Sequence, residues 1–174
     1  MQKVISILDN FSNTVGRLAS WFSVLMVLVM AAIVILRYLF QTGSIAMQES
    51  VMYLNALIFT LGVAYTLKEQ GHVRVDIFYN RLSSRGKAVV DLVGALVFLV
   101  PATVFIIWVS WDYVSVSWRI REGSPETSGL PFVFLLKASI ILFSLLLIVQ
   151  GVSEILKSIQ GIKQTDSLGE LEEH

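Results

Sequence analysis

Four long apolar runs constrain this chain more than any other feature. The first extends from Leu18 to Leu36 and ends at Arg37; the second runs from Ile45 to Leu67, with Glu49 near its start. The third is uncharged from Leu92 to Trp111, between Asp91 and Asp112, and the fourth runs from near Pro131 to Leu156 and carries Lys137. A helix of about 20 residues rises ~30 Å, the thickness of a bilayer's hydrocarbon core. Backbone in lipid must satisfy its own hydrogen bonds, and a helix does so within one segment. The expected fold class is therefore an all-α integral membrane protein with four transmembrane helices, at about 18–40, 45–67, 88–121 and 131–156. Composition agrees. Hydrophobic residues make up 55% of the 174 and charged residues only 15%, against roughly 25% charged in soluble domains.

The flanks supply the rest of the organisation. Residues 1–17 read as an amphipathic interfacial helix, with Val4, Ile5, Leu8, Phe11, Val15 and Leu18 on one side and Lys3, Asp9, Asn10, Asn13 and Arg17 on the other. Acidic Asp9 and the lack of an apolar core before a cleavage site argue against a signal peptide. Residues 68–87 form a charged connection, and 122–131 (EGSPETSGLP) break the helical pattern. Residues 163–174 are expected to be a disordered acidic tail. Four spans put both termini on the side of the 68–87 connection. That side holds Lys3, Arg17, Lys68, Arg74, Arg81, Arg85, Lys87, Lys157 and Lys163; the other holds Arg37, Arg119, Arg121 and Lys137. The positive-inside rule then makes the termini cytoplasmic.

Charged groups near the spans need partners, because an ionised side chain at mid-bilayer costs about 2.5–3.5 kcal/mol. Glu49 reads either as a proton or cation site, or as the partner of Arg37 across a short hairpin, or as a polar contact to another subunit. Asp112 and Lys137 are at similar depth on spans 3 and 4 and are expected to pair. That pairing would set the stripe Gly94, Phe98, Pro101, Phe105, Trp108 and Asp112 against Lys137, Ile141, Ser144, Ile148, Gly151 and Ile155. Asn55, Gly62 and Thr66 share a face of span 2 suited to close helix packing. Pro101 is placed to kink span 3. Trp108, Trp111 and Trp118 read as an aromatic belt or a partner contact.

Several function classes are excluded. The chain has no cysteine, so thiol redox chemistry and Cys-ligated metals are out. Its two histidines, His72 and His174, lie outside the spans, which removes an intramembrane haem ligand. No phosphate-binding, zinc-hydrolase or nucleophile-elbow motif is present. With 13 basic and 13 acidic residues, nothing points to nucleic acid. The reading is a non-enzyme without cofactor or metal. The serious alternative is a stand-alone small multidrug antiporter, with Glu49 as its proton carrier.

The chain also resembles a known family. Glu49 heads span 2, and Thr60-Leu61-Gly62-Val63-Ala64-Tyr65 is followed by Gly71-His72-Val73-Arg74-Val75-Asp76. Glu122 and Gly129-Leu130-Pro131 then lead to Lys137. Together these residues resemble the small, Q-type membrane subunit of tripartite ATP-independent periplasmic (TRAP) transporters. The resemblance covers residues 15–160 or so. It implies a bacterial inner-membrane protein that scaffolds a large elevator-type subunit and works with a periplasmic solute-binding protein in Na⁺-coupled carboxylate uptake. Glu49 would be a polar anchor, Asp112 and Lys137 a pair, and His72, Arg74 and Asp76 an ordered cytoplasmic contact. Arg37 and Asn55 join them as structural or partner-facing polar residues.

Overall fold

The computed structural model describes residues 2–69, 71, 79 and 81–172, with side chains as far as Gln164. Four helices make up the fold: α1, Gln2–Leu39; α2, Ile45–Lys68; α3, Ser84–Ile120; and α4, Val133–Glu172. No strand occurs among the described residues. Each helix contains a window long and apolar enough to cross a membrane. α1 packs most extensively on α2, and α4 is central, touching the other three. The start of α1 and the end of α4 share one end of the bundle with the end of α2 and the start of α3; the connections 40–44 and 121–132 lie at the opposite, hairpin end.

What is buried identifies the solvent this bundle is built for. The most enclosed residues are small or polar: Ser12, Ala19, Thr60, Ala64, Thr103, Ser117, Ser144, Gln150 and Ser153. Most large apolar side chains point outward, with Trp21 69%, Phe59 68%, Phe98 71% and Trp108 75% exposed, while Phe134, Leu146 and Leu147 are buried. In water this arrangement would forfeit the burial of apolar area that drives folding. In lipid it costs nothing, and association comes instead from close backbone approach and hydrogen bonds between helices. Gly16 and Gly151 mark two such approaches. A Cβ at Gly16 would lie 2.6–2.9 Å from Tyr65 carbons, and one at Gly151 would lie 2.7 Å from Leu99 Cδ2.

Helix limits follow local chemistry. Ser44 caps α2 by accepting from Met47 N at 3.3 Å, and Ser83 caps α3 by accepting from Gly86 N at 3.2 Å. α3 ends with Arg121 in the left-handed region (φ 50°) and Glu122 N donating to Ser117 O at 3.0 Å, a Schellman-type closure.

Three features of the helices add detail to the expected spans. α1 is one helix with no break between Arg17 and Leu18, because no residue there interrupts the hydrogen-bond ladder. α4 stays helical through Glu172, well past 156, since no proline stops it. Pro101 does not simply kink span 3. Just upstream of it, Gly94–Leu99 form a π-helical segment, and Val100 N donates to Ala95 O. Proline lacks an N–H and its ring crowds the preceding turn's carbonyl, so the wider turn accommodates it. Thr103 Oγ1 then serves the carbonyls of Leu99 and Val100 at 2.8 and 2.9 Å.

Candidate functional site

Polar side chains gather at the two ends of the bundle. At the hairpin end, Glu49 sits just past the first turn of α2 and faces the α3–α4 connection. One of its carboxylate oxygens accepts from Ser124 Oγ, and the other accepts from Leu130 N at 2.6 Å. The connection is folded on itself: Ser124 N donates to Leu130 O at 3.0 Å and Gly129 N to Glu126 O at 3.0 Å. Only glycine fits at 129, where a Cβ would overlap Ser124 and approach Glu49 Oε1 to 2.7 Å.

Beside this clasp, Lys137 Nζ reaches Glu122 Oε2 at 2.6 Å and stands 4.0 Å from the centre of the Tyr113 ring. The ammonium is therefore satisfied by a carboxylate and an aromatic face together. The Lys137 hydrogen bond holds the Glu122 carboxyl below its ordinary range. Arg121 lies over Phe134 at 5.6 Å, and Trp118 meets Phe134 edge-on at 5.0 Å. Together these contacts fasten the end of α3 to the start of α4.

Two expected pairings are corrected. Lys137 pairs with Glu122 and not with Asp112. Asp112 is exposed on α3 beside Trp108 and Trp111, lining a shallow outward groove with Val104 and Ile107. The stripe expected to face α4 points away from it, with Phe98, Phe105 and Trp108 all exposed. The side of α3 that is enclosed carries Ala95, Thr103, Val114 and Ser117, and Leu99 meets Gly151. Small residues win that position because they let backbones approach. Glu49 likewise does not pair with Arg37, which is exposed at the end of α1. His72, Arg74 and Asp76 lie outside the described residues.

The opposite end carries a second polar cluster. Gln150, fully buried on α4, accepts from Ser12 Oγ at 2.6 Å and donates to Asp9 Oδ1 at 3.2 Å and Glu154 Oε1 at 2.9 Å. Ser153 Oγ donates to Asp9 Oδ1 at 2.8 Å, and Lys157 Nζ bridges Asp9 Oδ2 at 3.0 Å and Glu154 Oε1 at 2.8 Å. Lys68 Nζ adds a bond to Asn13 Oδ1 at 2.8 Å. Asp9 and Asn13 thus face neighbouring helices, not solvent. The sequence reading missed this cluster, although Gln150, a lone amide in an apolar run, was its visible signal. Among the described residues no group of His, Cys, Asp or Glu is placed to hold a metal ion.

Among the described residues, each end is a set of hydrogen bonds and ion pairs that ties helices together. Residues 26–161 match the family model described as tripartite ATP-independent periplasmic transporters, DctQ component. No curated protein and no solved structure matches the chain. The matched stretch begins inside α1 and includes all of α2, α3 and the Glu49 clasp. It leaves out Asp9 and Ser12.

Proposed function

The chain belongs to the DctQ component family of tripartite ATP-independent periplasmic transporters, and we propose on that basis that it is a non-catalytic scaffold for a large membrane subunit. The observation that carries the scaffold reading is that three of its charged groups near the spans are each engaged by partners in the same chain. Glu49 is held by Ser124 and Leu130, Lys137 by Glu122, and Asp9 by Lys157. A transport path needs ionisable groups that can exchange partners inside the membrane. It also favours broken helices around a midplane site. This chain instead has continuous helices through all four spans.

In this reading the large partner carries the solute and Na⁺ sites, a periplasmic binding protein delivers a carboxylate solute, and the small chain enlarges and steadies the assembly in lipid. The excess of Lys and Arg beside the termini supports cytoplasmic ends and a bacterial inner-membrane location. The antiporter alternative asks Glu49 to load and release protons. Its engagement by two donors of its own chain favours the scaffold.

The test is a tagged pull-down from native membranes in mild detergent, read by mass spectrometry. A stoichiometric, much larger polytopic chain is the expected result. A homo-oligomer showing proton-coupled efflux that Glu49→Gln abolishes would overturn the proposal.

A further inference from the structure

Three of the four helices expose purely apolar faces at mid-height. α1 shows Val24, Val27 and Leu28; α3 shows Val97, Phe98 and Val104; α4 shows Leu142 and Leu145. Such faces suit lipid tails. α2 differs. Its outward stripe runs Gln48, Met52, Asn55, Phe59, Gly62, Thr66, at successive spacings of four and three, and the first four are exposed.

Asn55 is the anomaly on that stripe. It sits ten residues after Ile45 in a helix that ends at Lys68. That is ~15 Å along a rod of ~36 Å, near the bilayer midplane. Its carboxamide offers two donors and an acceptor, yet it is exposed and makes no hydrogen bond to any described residue. Water cannot serve it there, and an unmet amide in hydrocarbon costs on the order of several kcal/mol. Neighbouring hydroxyls do not share the problem. Thr66, Ser20 and Ser23 donate to Gly62 O, Gly16 O and Ala19 O at 2.9, 3.2 and 3.1 Å.

A second observation points to the same face. One helical turn along the same face from Asn55, the stripe residues Phe59, Gly62 and Thr66 line a groove of about 460 Å³ against α1, opposite Gly16, Ala19, Ser20 and Ser23. The small side chains of the α1 wall, with Gly62 on the α2 wall, admit the ridge of another helix at close range. A second copy of this chain fits poorly, because a two-fold contact through this face would set one concave groove against another.

We propose that this α2 face, with the adjoining groove, is the docking surface for a transmembrane segment of the large membrane subunit. That segment must present a hydrogen-bonding group, either a polar side chain or an unpaired backbone carbonyl, to Asn55 at mid-membrane depth. The inference rests on the scaffold reading above and adds to it the face used and the chemistry of the contact.

The experiment places a photo-crosslinking residue singly at Asn55, at Phe59 and, on the far side, at Phe98, in otherwise intact complex in native membranes. Expected are cross-links to the large subunit from positions 55 and 59 and not from 98. In parallel, Asn55→Leu should lower co-purification of the large subunit about three- to tenfold, the range one interhelical hydrogen bond supplies, while Asn55→Gln retains it. Asn55 is exposed and makes no hydrogen bond to any described residue, so Asn55→Leu leaves the bundle folded. Cross-links from 55 and 59 only to lipid or to a second copy, with the large subunit still co-purifying, overturn the docking face and leave the scaffold standing. Failure of the wild-type chain to co-purify with any large subunit removes both.

Discussion

The backbone N–H of Leu130 donates to Glu49 Oε2 at 2.6 Å, tying the beginning of α2 to the far end of the α3–α4 connection. These residues are 81 positions apart in sequence, so one carboxylate fixes the shape of the hairpin end. Replacing Glu49 by Ala strands the Leu130 N–H and the Ser124 hydroxyl. A fully buried donor left unmade costs about 1–3 kcal/mol, and these two are half-buried, so the loss lies toward the low end of that range. The expected result is a lower unfolding temperature in detergent and earlier protease cleavage between residues 122 and 131. Glu49→Gln, which keeps an acceptor oxygen, should lose less.

Lys137 and Asp112 separate cleanly under mutation. Lys137→Ala should loosen the α3–α4 connection, because it removes the partner of Glu122 and the cation over Tyr113. Asp112→Asn should leave thermal stability unchanged. Equal losses from both substitutions would sink the assignment of Lys137 to Glu122.

The same pair predicts a pH response. The Glu122 carboxyl is held below its ordinary value of 4.5. A carboxyl depressed in the folded state contributes fully above its unfolded value and loses that contribution as pH falls through the folded value. Proteolysis of the 122–131 connection should therefore be constant from pH 8 to about 5 and rise below about 4.5. Glu122→Gln should flatten the acid rise.

At the other end, Ser12 and Gln150 should behave as a coupled pair. Ser12→Ala and Gln150→Leu each remove one side of a 2.6 Å bond between α1 and α4. The double variant should be less destabilised than the sum of the singles, by about 0.6–1.7 kcal/mol. Additive losses, measured by reversible unfolding in mixed micelles, would show that the bond contributes nothing.

Glycine substitutions should rank by what they strike. At Gly16 a methyl group meets the Cβ and Cγ of Tyr65, close to that residue's backbone; at Gly151 it meets only the end of the Leu99 side chain. Gly16→Ala should cost about 1–3 kcal/mol as overpacking. Gly151→Ala should cost less, since Leu99 can turn aside. Thermal shift assays on the two variants give the order.

Much of the architecture was legible in the sequence, because the spans announce themselves by length and lack of charge. The pairing of charges was not. Depth along a helix follows from residue count, and depth alone suggested Asp112 for Lys137. The choice of Glu122 depends on the rotation of α3 and on the left-handed turn at Arg121 that brings Glu122 back over α4. Helix faces misled for a related reason. A stripe of Phe98, Phe105 and Trp108 reads as a core stripe by the rules of water-soluble helices, yet in lipid that stripe faces out. The family motif, by contrast, drew together Glu49, Glu122, Gly129, Leu130 and Lys137, and these do meet at the hairpin end.

The wide turn at Gly94–Leu99 acts as a phase shifter. A π-helical turn holds one residue more than an α-turn, so all that follows it is rotated about the helix axis by ~100° relative to an unbroken α-helix. The compass bearing of Trp108, Trp111 and Asp112 around the bundle is thus set about two to four helical turns earlier in the chain. Deleting a single residue from this turn would keep the helix and its hydrophobicity, yet it would swing that aromatic group toward a different neighbour and carry Val114 and Ser117 out of their packed positions. Relatives that share every side chain beyond Pro101 but lack the extra residue would present a different surface to whatever lies beside α3.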